Sequence, residues 1–272
     1  MKRSIFIMLV FFLVFFTNFQ VAWGHTQEQN NDRSSTPSTA KKVRPDDSSR
    51  SSDRARESKN KQQPLDFSDT GRPGQQTAGE SRGECIYTEH NLSAVIPTSH
   101  SGKTTLGNPR FWVYFPYTRQ QVSQIEFVIQ NEAREDVWRS QVKNRDNQGY
   151  RSFSMPATAA PLEVDRWYRW YVKVYCGRDR DDSTDYVQGW VRRVPLLSQM
   201  YLELQQESMP SHKIYGEGGI WYDAIDNLLT LYKSDPGNMR LERDWHNLIE
   251  AQGVSLDFLP QVGASYKANE LN

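Results

Sequence analysis

Aromatic and cationic side chains alternate through residues 166–176, which read RWYRWYVKVYC. Rings can stack on bases or sugars, and cations can bind phosphates or carboxylates, so this mixture is typical of a binding surface. The same pattern is also typical of a half-buried β-strand. The chemistry open to the segment therefore depends on which of its side chains face outward.

Strand alternation divides the segment into two faces. We assign one face to the core: Tyr168, Trp170, Val172, Val174 and Cys176. The other face carries the candidate binding surface: Trp167, Arg169, Tyr171, Lys173 and Tyr175. These outward residues either make ordinary cross-strand pairs on a solvated sheet or form an aromatic ladder that binds sugar rings or a partner protein.

Motifs that would indicate catalysis or cofactor binding are incomplete. The segment SGKTT at 101–105 resembles a phosphate loop, but Pro97 stands where that motif needs a glycine. The segment RDRDDSTDY at 178–186 is acidic like a calcium loop, but it lacks the central glycine and Trp190 replaces the bidentate glutamate. Four histidines lack the spacing of metal ligands: His90, His100, His212 and His246. We therefore predict no cofactor, no metal site and no catalytic residues.

The first 24 residues have the pattern of a secretory signal, with two cations, a long apolar run and small residues at Ala22 and Gly24. We predict cleavage after Gly24 and an extracytoplasmic location, periplasmic or secreted. If the segment is not cleaved, it is long enough to anchor the chain in a membrane, which is the only membrane contact we expect. Acidic and basic residues balance at 33 each, so the charge does not favour a nucleic-acid partner.

Composition divides the rest of the chain into four parts. Residues 25–70 are polar and mixed in charge, which predicts a disordered linker. Residues 71–195 have strand character, residues 196–260 have helical periodicity, and residues 261–272 are predicted to be a disordered tail. We expect the helical part to cap the β domain.

Seven segments of the β region have strand character and are separated by turn residues. They are 85–96, 110–117, 123–130, 136–143, 149–155, 166–176 and 185–194. Seven short strands without intervening helices predict an antiparallel β-sandwich. Leu162, six residues before Tyr168, resembles the tyrosine corner of immunoglobulin-like and fibronectin type III domains.

The cysteines Cys85 and Cys176 are the only two in the chain. In an oxidising compartment such a pair tends to form a disulfide. If seven strands alternate in direction, the head of the first and the foot of the sixth lie at the same pole of the sandwich, where the two cysteines can meet. Closing so long a loop would stabilise the fold by about 4–5 kcal/mol on the chain-entropy model.

Three helices are predicted after Pro195, over 196–208, 219–238 and 239–252. The second carries one apolar stripe, made of Trp221, Ala224, Ile225, Leu228 and Tyr232. The last two helices and the turn at Pro236 are similar to one tetratricopeptide unit, although one unit alone cannot bury its apolar face.

Several segments together resemble one family: GRPG, SRGEC, FWVYFPY, PLEVDRWYRWYVKVYC, GWVRRV and GIWYDA. They are similar to the secreted, mainly cyanobacterial proteins of domain-of-unknown-function family 928, and the resemblance runs over 71–254. It implies a bacterial extracytoplasmic protein. It implies no activity and no site residues.

These patterns lead us to expect an exported, non-enzymatic binding or scaffold protein that recognises a partner protein in the cell envelope. The first alternative is a carbohydrate or cell-wall binding module that uses the outward aromatics of the sixth strand. The second is a hydrolase whose catalytic residues are far apart in the sequence.

Overall fold

The computed structural model describes residues 64–68, 85, 88–144, 148–176, 184–206 and 208–262. All of these residues belong to one unit, 57–272. The predicted signal at 1–24, most of the predicted linker at 25–70 and most of the predicted tail at 261–272 lie outside the described residues.

Within the described residues, eight strands form two sheets. The strands are β1 (Ser93–Ala94), β2 (Ser101–Thr104), β3 (Arg110–Phe115), β4 (Val122–Gln130), β5 (Asp136–Val142), β6 (Gly149–Ser154), β7 (Trp167–Cys176) and β8 (Thr184–Arg193). One sheet has the order β1-β3-β6, and the other has the order β2-β8-β7-β4-β5. Neighbouring strands are antiparallel except β2 and β8, which are parallel. The prediction of a mainly β protein with helices is confirmed.

The strand count and direction differ from the seven-stranded antiparallel prediction. Strand β2 was missed because its sequence, SGKT, has no alternation of apolar and polar side chains. It is a strand because β8 pairs with it in parallel register, from Ser101 opposite Trp190 to Thr104 opposite Arg193. Among the described residues of the first predicted strand, 85–96, only Ser93–Ala94 forms a ladder.

Four helices follow the sheets in the described part of the chain: α1 (Ser198–Gln206), α2 (Ser211–Glu217), α3 (Trp221–Ser234) and α4 (Met239–Ile249). The three predicted helices are present as α1, α3 and α4. Helix α2 was missed because seven residues are too few to show a helical period. Helix α4 begins at Asn238, whose side chain accepts a hydrogen bond from the backbone N–H of Arg240 at 2.9 Å. None of the described helices is long and apolar enough to cross a membrane.

Helix α3 contributes to the same core as the two sheets. The five residues of its predicted apolar stripe are all buried: Trp221, Ala224, Ile225, Leu228 and Tyr232. The Trp221 indole donates a hydrogen bond to the Val95 carbonyl at 3.1 Å, and the Trp112 indole donates to Asp226 at 2.9 Å. The helix is therefore fixed to the sheets by both apolar packing and hydrogen bonds.

An aromatic cluster joins α3 to the sheets. The ring of Phe111 stacks on Trp170 at 5.0 Å and meets Tyr222 edge-on at 5.1 Å. Gly189 stands opposite Trp170 in the ladder, and a Cβ there would lie 2.8 Å from the indole. The missing side chain of Gly189 therefore makes room for the indole across β8.

Two short segments that were assigned to disordered parts belong to the folded unit. In the predicted linker, Phe67 is 3% exposed, and its ring meets Trp221 edge-on at 4.9 Å. In the predicted tail, Val262 is buried. Phe67 lies beside a long polar stretch, and Val262 lies near the C-terminal end, so one apolar residue carries little weight in a composition argument at either place.

The disulfide between Cys85 and Cys176 is present and closes a sequence separation of 91 residues. The Tyr168 hydroxyl, at the other end of β7, accepts a hydrogen bond from the backbone N–H of Glu163 at 3.0 Å. Both features fix the ends of β7, the strand that carries the candidate binding residues.

Candidate binding site

Strand β7 alternates as predicted between a core face and an outer face. The core residues Tyr168, Trp170, Val172, Val174 and Cys176 are all buried. The side chains of Arg169, Tyr171, Lys173 and Tyr175 are half-buried on the opposite face. That face is the outer surface of the five-stranded sheet.

The pairing register places a polar or aromatic residue of β8 beside each outer residue of β7. Arg169 lies opposite Trp190, Tyr171 lies opposite Gln188, and Lys173 lies opposite Tyr186. On the other side of β7, strand β4 supplies Gln130, Val128 and Glu126 opposite these same three residues. Rings, cations and amides therefore share one continuous surface.

Arg169 is held between two aromatic rings. Its guanidinium carbon lies 4.8 Å from the centre of the Tyr171 ring and 5.7 Å from that of Trp190. Its Nη2 also donates a hydrogen bond to the side-chain oxygen of Gln188. These three contacts restrict the orientation of the Arg169 side chain before any ligand arrives.

The outer face contains a groove of about 350 Å³, which we call the outer groove. It is lined by Arg169, Tyr171, Lys173, Tyr175, Thr184, Asp185, Tyr186 and Gln188. Four of the five predicted binding residues are in this lining. The contribution of β8 was not predicted, because alternation within β8 identifies its faces but not the strand beside which it lies.

The prediction that Trp167 belongs to the binding surface needs correction, because this residue shares the outer face but does not line the outer groove. Its side chain is only 9% exposed. It stands at the corner end of β7 opposite Arg192, whose guanidinium pairs with Asp165 at 3.1 Å. A ring with so little exposed surface cannot stack on a ligand.

Among the described residues, the carboxylates on or beside the outer face already have partners. Arg139 binds Glu126 at 2.8 Å and Asp136 at 2.7 Å. Hydrogen bonds from Arg139 and Gln130 hold the pKa of Asp136 below its usual range. Asp185 accepts a hydrogen bond from the Tyr117 hydroxyl. In the outer groove, burial raises the pKa of Tyr171, so this phenol stays neutral at physiological pH.

Two buried polar clusters lie away from the outer groove. Asp223, in the first turn of α3, accepts hydrogen bonds from the Thr104 and Thr105 hydroxyls and from the Thr105 backbone N–H at 2.9 Å. Burial raises the pKa of Asp223. The cluster joins α3 to the end of β2, so Thr104 and Thr105 of the SGKTT segment have a structural role.

The second cluster is a histidine–aspartate pair beside a cavity of about 420 Å³. His212 Nε2 lies 2.9 Å from Asp244, and the Lys213 ammonium binds the other oxygen of that carboxylate at 2.9 Å. Burial lowers the pKa of His212. The described residues that line the cavity include no serine, threonine or cysteine, so the pair has no adjacent nucleophile there.

No group of three or more histidine, cysteine, aspartate or glutamate side chains is arranged for a metal ion in the described part of the chain. The acidic segment at 178–186 lies mostly outside the described residues. Asp185, near its end, is buried and bonded to Tyr117.

The fold and site define a β-rich, disulfide-bonded protein with helices packed on its core and a polar, aromatic groove on one sheet. The chain belongs to the family described as Domain of Unknown Function (DUF928), whose model matches residues 77–261. The matched range contains both sheets, all four helices and the outer groove. No curated protein matches the chain.

Proposed function

We propose that this chain is an exported, non-enzymatic binding protein that holds a glycan of the cell envelope in the outer groove. Export is supported by the signal-like first 24 residues and by the bond between Cys85 and Cys176, which suits an oxidising compartment. The glycan is favoured over a partner protein by the chemistry of the outer groove.

The arrangement of Arg169 carries this proposal. With Arg169 fixed between Tyr171 and Trp190 and bonded to Gln188, the outer groove presents rings and hydrogen-bonding groups in a set geometry. A sugar ring has an apolar face that packs on aromatic side chains and hydroxyls that bond to amides and cations. A site whose side chains are already ordered loses less entropy when it binds.

Affinity electrophoresis through gels that contain envelope polysaccharide tests the proposal. We expect the polysaccharide to retard the wild-type chain and Tyr186→Ala to lose most of the retardation, because Tyr186 lines the outer groove. Tyr201→Ala is the matched control, since Tyr201 is 52% exposed on α1, outside the groove. Equal migration of wild type and Tyr186→Ala would contradict the proposal, and release of reducing ends would favour the hydrolase alternative.

A partner protein is the second candidate, and exposed apolar residues on and before α1 favour it. Leu197, just before α1, and Leu202 are 64% and 58% exposed, and the exposed Tyr201 lies between them in the sequence. Exposed apolar side chains that form one contiguous patch mark protein contacts, which is the arrangement this candidate requires. Crosslinking in an envelope fraction should then capture a specific protein, and Leu202→Gln should abolish the capture while Glu203→Gln retains it.

We also propose that the two sheets are related to immunoglobulin-like and fibronectin type III sandwiches. The sheet orders, three strands against five, and the Tyr168 contact to Glu163 support this relation. The disulfide departs from the antibody pattern, since it joins the foot of β7 to Cys85 before β1. A tetratricopeptide-like relation of α3 and α4 is supported by the Pro236 turn between them.

A further inference from the structure

Three cations on the outer face of the five-stranded sheet have no carboxylate partner within 4.0 Å among the described residues: Lys103, Arg169 and Lys173. Lys103 is in β2, opposite Arg192, and the other two are in β7. Among the described residues, the face therefore carries positive charge that its acidic side chains do not neutralise.

Lys173 shows how this excess arises. It stands opposite Glu126 in the ladder, where an ion pair would be expected. The Glu126 carboxylate instead binds Arg139 at 2.8 Å. Asp136 is near enough for Lys173 to lower its pKa, but its oxygens bond to Arg139 and Gln130. The ammonium of Lys173 is thus left for another anion.

Hydrogen-bond donors are also in excess on this face. The Nε–H groups of Arg169 and Arg192 have no acceptor in the described part of the chain, but both are buried below the surface, out of reach of a ligand. The remaining N–H groups of Arg169 and the ammonium of Lys173 can only donate hydrogen bonds, so their further acceptors are water or a ligand. An anionic ligand supplies acceptors and charge together.

We propose that the ligand of the outer groove is an acidic polysaccharide, a glycan chain that carries carboxylates. This inference rests on the proposed function and specifies its ligand class. The guanidinium of Arg169 and the ammonium of Lys173 bind carboxylates, while the rings of Tyr175 and Tyr186 contact sugar faces. Sheet geometry places Arg169 and Lys173 about 13 Å apart along β7, so one chain that carries several carboxylates spans both cations.

The position of the rings favours a glycan over an acidic peptide. In the outer groove, Tyr171 lies between the two cations along β7, and Tyr186 lies beside Lys173 on β8. A ligand that reaches both cations therefore crosses aromatic surface, which suits a chain of sugar rings. A flexible acidic peptide would gain the charge contacts, but poly-acidic side chains have no rings to pack along the aromatic surface, and the peptide loses entropy when it is ordered.

Isothermal titration of the disulfide-bonded chain with three probes tests this inference: polygalacturonate, a neutral glucan and poly-L-glutamate. At 50 mM salt we expect polygalacturonate to bind and the other two to bind at least about tenfold more weakly. Raising the salt to 300 mM should weaken the binding further, since exposed charges are screened. Lys173→Gln alone, and Lys173→Gln combined with Arg169→Gln, should each weaken polygalacturonate binding by about tenfold or more.

The control variant is Lys233→Gln, which removes one positive charge from the exposed side of α3 and should leave the affinity unchanged. Lys173→Gln keeps the test valid if Arg169→Gln fails to fold, which a thermal melt would reveal. If the neutral glucan binds as tightly as polygalacturonate and salt has no effect, the ligand of the outer groove is a glycan but not an acidic one. If poly-L-glutamate binds at least as tightly as polygalacturonate, the inference that the ligand is a glycan is wrong. If none of the three probes binds and the polysaccharide gels do not retard the chain, the proposed function itself is wrong.

Discussion

Replacement of Tyr222 by phenylalanine should reveal whether the helices and the sheets form one cooperative unit. The Tyr222 hydroxyl accepts a hydrogen bond from the Trp170 indole at 2.7 Å and donates one to the Trp190 carbonyl at 2.9 Å. Both Tyr222 and Trp170 are fully buried, so water cannot replace these bonds.

The cost of Tyr222→Phe follows from these two bonds. The indole N–H would be left without a partner in the core, which costs about 1–3 kcal/mol. Loss of the bond to the Trp190 carbonyl adds about 0.5–1.5 kcal/mol. The ring contact with Phe111 remains, because it needs no hydroxyl. We therefore expect the free energy of unfolding to fall by about 2–4 kcal/mol.

Urea unfolding followed by helical circular dichroism and by tryptophan fluorescence measures this change. Both signals should shift together to lower urea, because α3 and β7 share one core. Tyr201→Phe is the matched control and should leave the midpoint unchanged, since Tyr201 is exposed. An unchanged midpoint for Tyr222→Phe, or helix loss that precedes the fluorescence change, would refute the reasoning.

Three further changes test other parts of the fold. Cys85→Ala with Cys176→Ala should lower the free energy of unfolding by about 4–5 kcal/mol, because the bond closes a separation of 91 residues, and an unchanged urea midpoint would argue against this. Gly189→Ala should cost about 1–3 kcal/mol in urea unfolding, since the new Cβ would lie 2.5 Å from Ile96, whereas Gly237→Ala, with nothing within 4 Å, should be neutral. Burial lowers the pKa of His212, so the unfolded chain binds the proton more tightly and stability should fall as the pH drops below about 6.5. His212→Gln should reduce that slope between pH 7.5 and pH 5, and an identical slope would contradict the assignment.

Sequence alternation predicted the inner face of β7 and four of the groove residues, because each strand residue has only two possible directions. The disulfide was predictable for a different reason, since Cys85 and Cys176 are the only cysteines in the chain. These features depend on local pattern or on elimination. Neither requires knowledge of which strands are neighbours.

Features that depend on distant pairing were missed. Strand β2 forms because β8 pairs with it, and nothing within SGKT indicates a strand. The position of Tyr186 and Gln188 in the outer groove depends on the register between β7 and β8. The burial of Trp167 was also missed, because alternation places it on the same face as the half-buried residues of β7 and says nothing about what covers it.

Chemical-shift mapping by NMR tests the central claim most directly, using labelled protein that is titrated with polygalacturonate. We predict that the largest shifts fall on Lys173, Tyr186 and Gln188 in the outer groove, and that Leu197 and Leu202 near α1 do not move. Shifts centred on α1, or spread evenly over the surface without saturation, would contradict the assignment of the outer groove as the binding site.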